Sequence, residues 1–143
     1  MIVDTSALIA ILKNEPEAQA FSETIEAAKV VRISAASYLE SNIVVGRCKD
    51  PILTARLEEI LENPGVQIEP VTAVQAKIAW EAYRDFGKGS GQRANLNFGD
   101  CFSYALARDK REPLLYKGDD FVHTDLRSAL LQSYGDRHFA NPQ

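Results

Sequence analysis

Five carboxylates stand where this chain could do chemistry: Asp4, Glu40, Asp100, Asp119 and Asp120. They are far apart in sequence, yet each lies at the end of a short apolar run or in the opening turns of a helical pattern. Carboxylates gathered without a cationic partner repel one another and raise their own pKa values. A divalent cation relieves that repulsion, and an all-oxygen donor set points to Mg²⁺ or Mn²⁺. One or two such ions activate water and stabilise both oxygens of an in-line phosphodiester displacement. The chemistry is that of a metal-assisted nuclease.

Each acid also has a purely structural reading. Asp4 has the residue type of a helix N-cap. Ser37-Tyr38-Leu39-Glu40 matches a capping box, in which Glu40 reaches back to a backbone N–H. Asn97-Phe98-Gly99-Asp100 resembles the same device, and an acid in a first turn favours the helix dipole. Asp119 and Asp120 follow Gly118 as ordinary turn residues do. Glu40 is the most diagnostic, because Ala36, Ser37, Ile43 and Val44 are its neighbours one turn away. An ion at the edge of an apolar face is costly unless paired or metal-bound. Asp100 is embedded similarly, with no lysine or arginine one turn away on its apolar side.

The elements that must position these acids follow from periodicity and caps. Ile2-Val3 is a short buried strand opening on Asp4-Thr5-Ser6 and a helix through Leu12. Pro16 suits the first turn of a second helix bearing Ala18, Phe21, Ile25 and Ala28. Val30 to Ile33 reads as a strand, and Ser34 or Ser37 caps a third helix. Asp50-Pro51 starts a fourth, stopped at Asn63-Pro64-Gly65. Val66 to Val71 is a third strand, and Thr72 caps a helix to about Phe86 whose Ile78, Trp80, Tyr83 and Phe86 read as core. Asn97 caps a helix of Gly99 to about Lys110, with Arg108 and Lys110 in its basic last turn. Pro113 to Tyr116 is the last strand. Strands alternating with helices predict an α/β fold: a mainly parallel central sheet flanked by helices in three layers, with right-handed crossovers. The carboxyl ends of parallel strands share one edge, where open α/β sheets bind ligands. The acids are expected to converge there.

With 143 residues the chain is expected to form one domain. Its 20 acidic and 16 basic side chains leave a net charge of −4, so phosphate contacts rest on local patches rather than overall charge. Cys48 and Cys101 form neither a disulfide framework nor a zinc spacing. His123 and His138 add too few nitrogen ligands for zinc. The loop from Gly87 to Gly91 lacks the Gly-Lys-Ser/Thr of a phosphate-binding loop. With no apolar run of spanning length and no signal-peptide pattern, a cytoplasmic protein without membrane contact is expected.

At this point the residues resemble a known family. Ile2-Val3-Asp4-Thr5-Ser6-Ala7-Leu8 is similar to the opening motif of PIN-domain nucleases, in particular VapC-type toxins. Residues 94–107, around Asn97-Phe98-Gly99-Asp100, resemble that family's third acidic motif. Pro113 to Phe121, with His123-Thr124-Asp125, resembles its closing motif. The likeness spans about residues 1–130, taken as a PIN-like nuclease domain, with 131–143 as a tail of no assigned role. It implies Mg²⁺ or Mn²⁺ held by Asp4, Glu40, Asp100 and a fourth acid, taken as Asp119 with Asp120 behind it. Ser6 matches a small polar position that orients a ligand or water. The resemblance further implies endonucleolytic RNA cleavage, a homodimer, and a cognate VapB-type antitoxin forming a heterotetramer or larger assembly. Operator DNA is expected only through the antitoxin. A PIN fold used as a silent binding module would lack one or more acids, and none is missing. A receiver-type phosphoacceptor would carry an acidic doublet after its first strand, where Asp4 stands alone.

Overall fold

The computed structural model describes residues 1–130. The tail 131–143, with His138, Tyr134 and Phe139, lies outside the described residues. Along the chain run β1 (Ile2–Val3), α1 (Thr5–Leu12), α2 (Ala18–Ala27), β2 (Val31–Ser34) and α3 (Ala35–Arg47). Then come α4 (Pro51–Leu61), β3 (Val66–Glu69), α5 (Ala73–Phe86), α6 (Phe98–Lys110) and β4 (Leu114–Leu115).

Side-chain caps decide where most helices begin. Asp4, Ser34, Asp50, Thr72 and Asn97 each accept a hydrogen bond from a backbone N–H of the turn they open. At α4 the cap is followed by Pro51 at the first helical position, where no N–H is needed. The cap of α3 is Ser34, whose Oγ accepts from the Ala36 N–H at 3.3 Å. Ser37 therefore does not cap, and the Ser37–Glu40 capping box does not form. Both side chains are free to point elsewhere. Pro16 lies in the turn ahead of α2, whose N-cap is Glu17.

The four strands are parallel, in the order β3-β2-β1-β4. Pairing of Ile2 with both Arg32 and Leu114, and of Ser34 with Glu69, aligns the carboxyl ends along one edge. Side chains alternate across this sheet. Val3, Val31, Ile33 and Leu115 pack with Ala7, Leu8, Phe21, Leu57 and Leu61 of α1, α2 and α4. Ile2 and Leu114 face the other way, onto Ala82 of α5 and Tyr104, Leu106 and Ala107 of α6. The result is the expected three-layer α/β architecture, with a parallel sheet between two helical layers.

One expectation about the core fails. Ile78 and Phe86 pack against the α6 side as expected, but Trp80 is 64% and Tyr83 39% exposed. Helix α5 lies at the outside of its layer and has one stripe to bury. Ala82, with Ile78, Ala79 and Phe86, fills that stripe, and Trp80 and Tyr83 lie off it.

Candidate active site at the acidic strand edge

Asp4 follows β1 directly and is only 4% exposed. Its backbone N–H donates to the Leu115 carbonyl at 2.9 Å, so the residue is held by the β1–β4 pairing itself. As N-cap of α1 its Oδ2 accepts the Ser6 N–H at 3.0 Å. Its Oδ1 accepts the Ser103 hydroxyl at 2.6 Å. Both readings of Asp4, cap and site residue, are thus compatible: one carboxylate oxygen caps the helix while the carboxylate stays at the sheet edge.

Asp100 is the third residue of α6 and completes a capping box with Asn97. Its backbone N–H donates to Asn97 Oδ1, and its Oδ2 accepts the Asn97 N–H, each at 2.9 Å. Burial pushes its pKa up to about 7, and the charges of Asp4, Asp120 and Glu40 push the same way. The Asn97 hydrogen bond opposes them and loses. Among the described residues no basic side chain is a leading influence on Asp100.

Glu40 comes from the second turn of α3 and meets the first turn of α6 at Gly99. A Cβ on residue 99 would overlap the Glu40 carboxylate, lying 3.1 Å from its Cδ and closer still to Oε2. Gly99 is therefore the cradle that lets α3 bring its carboxylate beside Asp100. Among the described residues no hydrogen-bond donor or ion pair engages the Glu40 side chain.

The loop after β4 brings the remaining acids. Gly118 has φ +94°, a conformation that L side chains rarely adopt, and it turns the chain into Asp119-Asp120. The loop is tied back to the start of the chain: the Lys117 N–H donates to Ser6 Oγ at 3.0 Å, and its ammonium pairs with Glu15 and Glu17. The Ser6 hydroxyl thus accepts from this loop. Of the two aspartates, Asp120 is the one whose charge reaches Asp100, while that of Asp119 acts on Tyr116. Asp125, farther along, is bound by Tyr104 and Arg108 and takes no part.

The structure therefore brings Asp4, Glu40, Asp100 and Asp120 to one edge. Among the described residues no group of three or more His, Cys, Asp or Glu side chains is spaced to hold a metal ion as the chain stands. The chemistry of the donor set nevertheless suits a hard divalent cation: every donor is a carboxylate, and burial, with the neighbouring acids adding to it, has raised the pKa of Asp100 to about 7. Cys101, one residue on, is buried with its thiol pushed up to about 11 by that burial, so it is no nucleophile at neutral pH. A groove of about 530 Å³ lies elsewhere, between α2, α4 and the turn before β3, lined by Ile25, Ile60 and Val66. It holds none of these acids.

Sequence reasoning missed Ser103. A serine one turn beyond Asp100, inside an otherwise apolar helical run, was the available signal.

The family described as PIN domain matches residues 1–126 of the chain. Ribonuclease VapC28 of Mycobacterium tuberculosis is 55% identical over 130 residues, covering 91% of this chain and 98% of that one. Among solved structures, M. tuberculosis VapC20, titled a sarcin-ricin loop cleaving toxin, superposes with a TM-score of 0.70 at 21% identity, covering 87% of this chain and 95% of that one. A toxin–antitoxin complex from Klebsiella pneumoniae gives 0.66 at 17% identity, covering 87% and 92%. The chain belongs to the PIN-domain family, and its curated relatives include VapC ribonucleases.

Proposed function

We propose that this protein is a divalent-metal-dependent endoribonuclease and the toxin half of a toxin–antitoxin pair. The observation that carries the reading is an acidic edge with no cation paired to it among the described residues, where Asp100 is raised to about 7 by burial and by Asp4, Asp120 and Glu40. The relatedness to VapC ribonucleases supports RNA as the substrate class.

Asp4 and Asp100 would hold the principal Mg²⁺ or Mn²⁺ ion, with Glu40 and Asp120 completing the site. Asp120 takes the place first given to Asp119, because its charge is the one that reaches Asp100. When bound, such an ion supplies activation of water and charge neutralisation at the scissile phosphodiester. The chain's own part is to hold the carboxylates in place. Ser6 N–H and Ser103 Oγ–H orient Asp4, the Asn97 N–H orients Asp100, and Gly99 seats Glu40. Glu40, engaged by no donor among the described residues, would accept the proton of the attacking water. Ser6 orients the site through the loop that it anchors.

The same reading assigns a cognate VapB-type antitoxin that covers the acidic edge, and a homodimer that assembles with it into a heterotetramer or larger. It places the protein in the cytoplasm; among the described residues no helix is long and apolar enough to cross a membrane.

The test is cleavage of total cellular RNA by the purified, antitoxin-free protein with Mg²⁺, Mn²⁺ or EDTA, beside Asp4→Asn. Discrete fragments that need the metal and vanish in the variant are expected. Metal-independent cleavage, or full activity in Asp4→Asn, would overturn the assignment. Absence of cleavage by folded protein would favour a silent binding module.

A further inference from the structure

Beneath the acids lies a set of buried hydroxyls. Ser37 is 2% exposed, Ser41 and Ser103 0%, and Thr5 6%. A serine inside a helix ordinarily bonds back to the carbonyl four residues earlier, as Ser41 does to Ser37 O at 2.8 Å. Ser37 and Ser103 instead reach across between helices, their Oγ atoms 3.1 Å apart. Ser103 donates its single hydroxyl proton to Asp4 Oδ1, so the proton of the serine pair must come from Ser37. The chain has a direction: Ser37 to Ser103 to Asp4.

It also has an address. Ser103 lies one turn after Asp100 on α6, and Ser37 one turn before Glu40 on α3. Residues three apart share a helix face. Each hydroxyl therefore sits on the face from which its own helix presents its acid, and the chain ends on the third acid, Asp4.

We propose that Ser103 is a positioning residue for the cation site. It fixes the plane of the Asp4 carboxylate, and Ser37 ties that orientation to the helix that carries Glu40. The inference rests on the metal-dependent reading above. With Oδ1 held by Ser103 and Oδ2 by the Ser6 N–H, the carboxylate cannot rotate, and each oxygen keeps a lone pair for the ion.

The experiment is calorimetric titration of the full-length protein with Mn²⁺, with thermal unfolding of every variant measured in parallel. Ser103→Ala is expected to weaken Mn²⁺ binding by about 10–100-fold, the usual cost of removing a partner of a ligating side chain. Ser37→Ala leaves the Ser103–Asp4 bond in place and is expected to cost less, and nothing further in the Ser103→Ala background. Ser103→Thr keeps the donor and adds a methyl to a packed site, so stability falls while affinity holds. Thr24→Val removes a buried hydroxyl from α2 and is expected to lower stability alone. A Ser103→Ala protein with wild-type affinity, or affinities that merely follow stability across the series, would overturn the proposal. If the wild-type protein binds no Mn²⁺, the metal-dependent reading itself fails and takes this inference with it.

Discussion

Two clusters of carboxylates flank the same sheet and have opposite fates. On the α6 side of β2, Arg32 donates to Glu69 at 2.6 Å and to Glu112 at 3.1 Å. The N-terminal ammonium adds a second cation to Glu112 at 3.2 Å. Burial alone would raise Glu112, yet the hydrogen bonds from Arg32 and the amino terminus hold it below the usual carboxylate range. At the carboxyl edge of the strands no cation among the described residues pairs with the acids, and burial together with their mutual repulsion drives Asp100 up instead. Both clusters are built from partly buried acids on one small scaffold. The difference lies in the partner: the first cluster is complete as folded, whereas the second holds charge that no cation among the described residues balances. A self-neutralised cluster contributes to stability, while an unbalanced one is set up to take a cation from solution.

The largest expected effect comes from removing the imbalance. Asp100→Asn keeps an acceptor for the Asn97 N–H and discards the repelled charge. It is expected to abolish metal-dependent cleavage and to make the metal-free protein more stable above pH 7. Loss of activity accompanied by loss of stability would break the comparison, since the acid would then be structural.

Breaking the other cluster has the opposite signature. Arg32→Met leaves Glu69 with Lys110 alone at 4.0 Å and Glu112 with the amino terminus alone, and is expected to cost about 2 kcal/mol of folding stability. Metal-dependent cleavage by the folded fraction is expected to survive. Denaturant unfolding and a cleavage assay on the same preparation separate the two outcomes.

The smallest effect sharpens the comparison through pH. Asp100 is raised in the folded protein above its unfolded value of about 3.9. Between about pH 4 and pH 7 the folded state binds the extra proton, so the unfolding free energy falls as pH rises through that window. Glu112 works the other way: its contribution is lost as pH falls below the ordinary carboxylate range. Urea midpoints in EDTA are therefore expected to decline from pH 5 to pH 8, by less than the Arg32→Met change because Asp100 is partly open to solvent. Mn²⁺ is expected to flatten the slope, and Asp100→Asn to erase it. A midpoint that rises over this range in EDTA would show that the pKa of Asp100 is not raised as described.

Much of the fold was legible because its punctuation is local. Asp4, Asp50-Pro51, Thr72 and Asn97 mark helix starts by chemistry that acts within one turn, and each stands where the periodicity placed it. Ser34 and Ser37 were equally good local caps. Strand β2 continues through Ser34, so only that residue has the extended backbone a cap needs. Trp80 and Tyr83 misled because an aromatic side chain in a helix reads as core until one knows how many neighbours that helix has.

The candidate site divides along the same line. The sequence by itself determined that unpartnered acids follow strands or open helices, and that a parallel sheet must bring those places to one edge. It could not choose between Asp119 and Asp120, because adjacent residues of a loop differ only in where the turn at Gly118 sends them. Nor could it reveal that Gly99 makes room for Glu40, or that Ser103 and Ser37 meet under Asp4. Those are contacts between residues 59, 66 and 99 positions apart. Caps and periodicity are decided within a turn or two of backbone; such distant contacts are decided only when α1, α3 and α6 pack against one another.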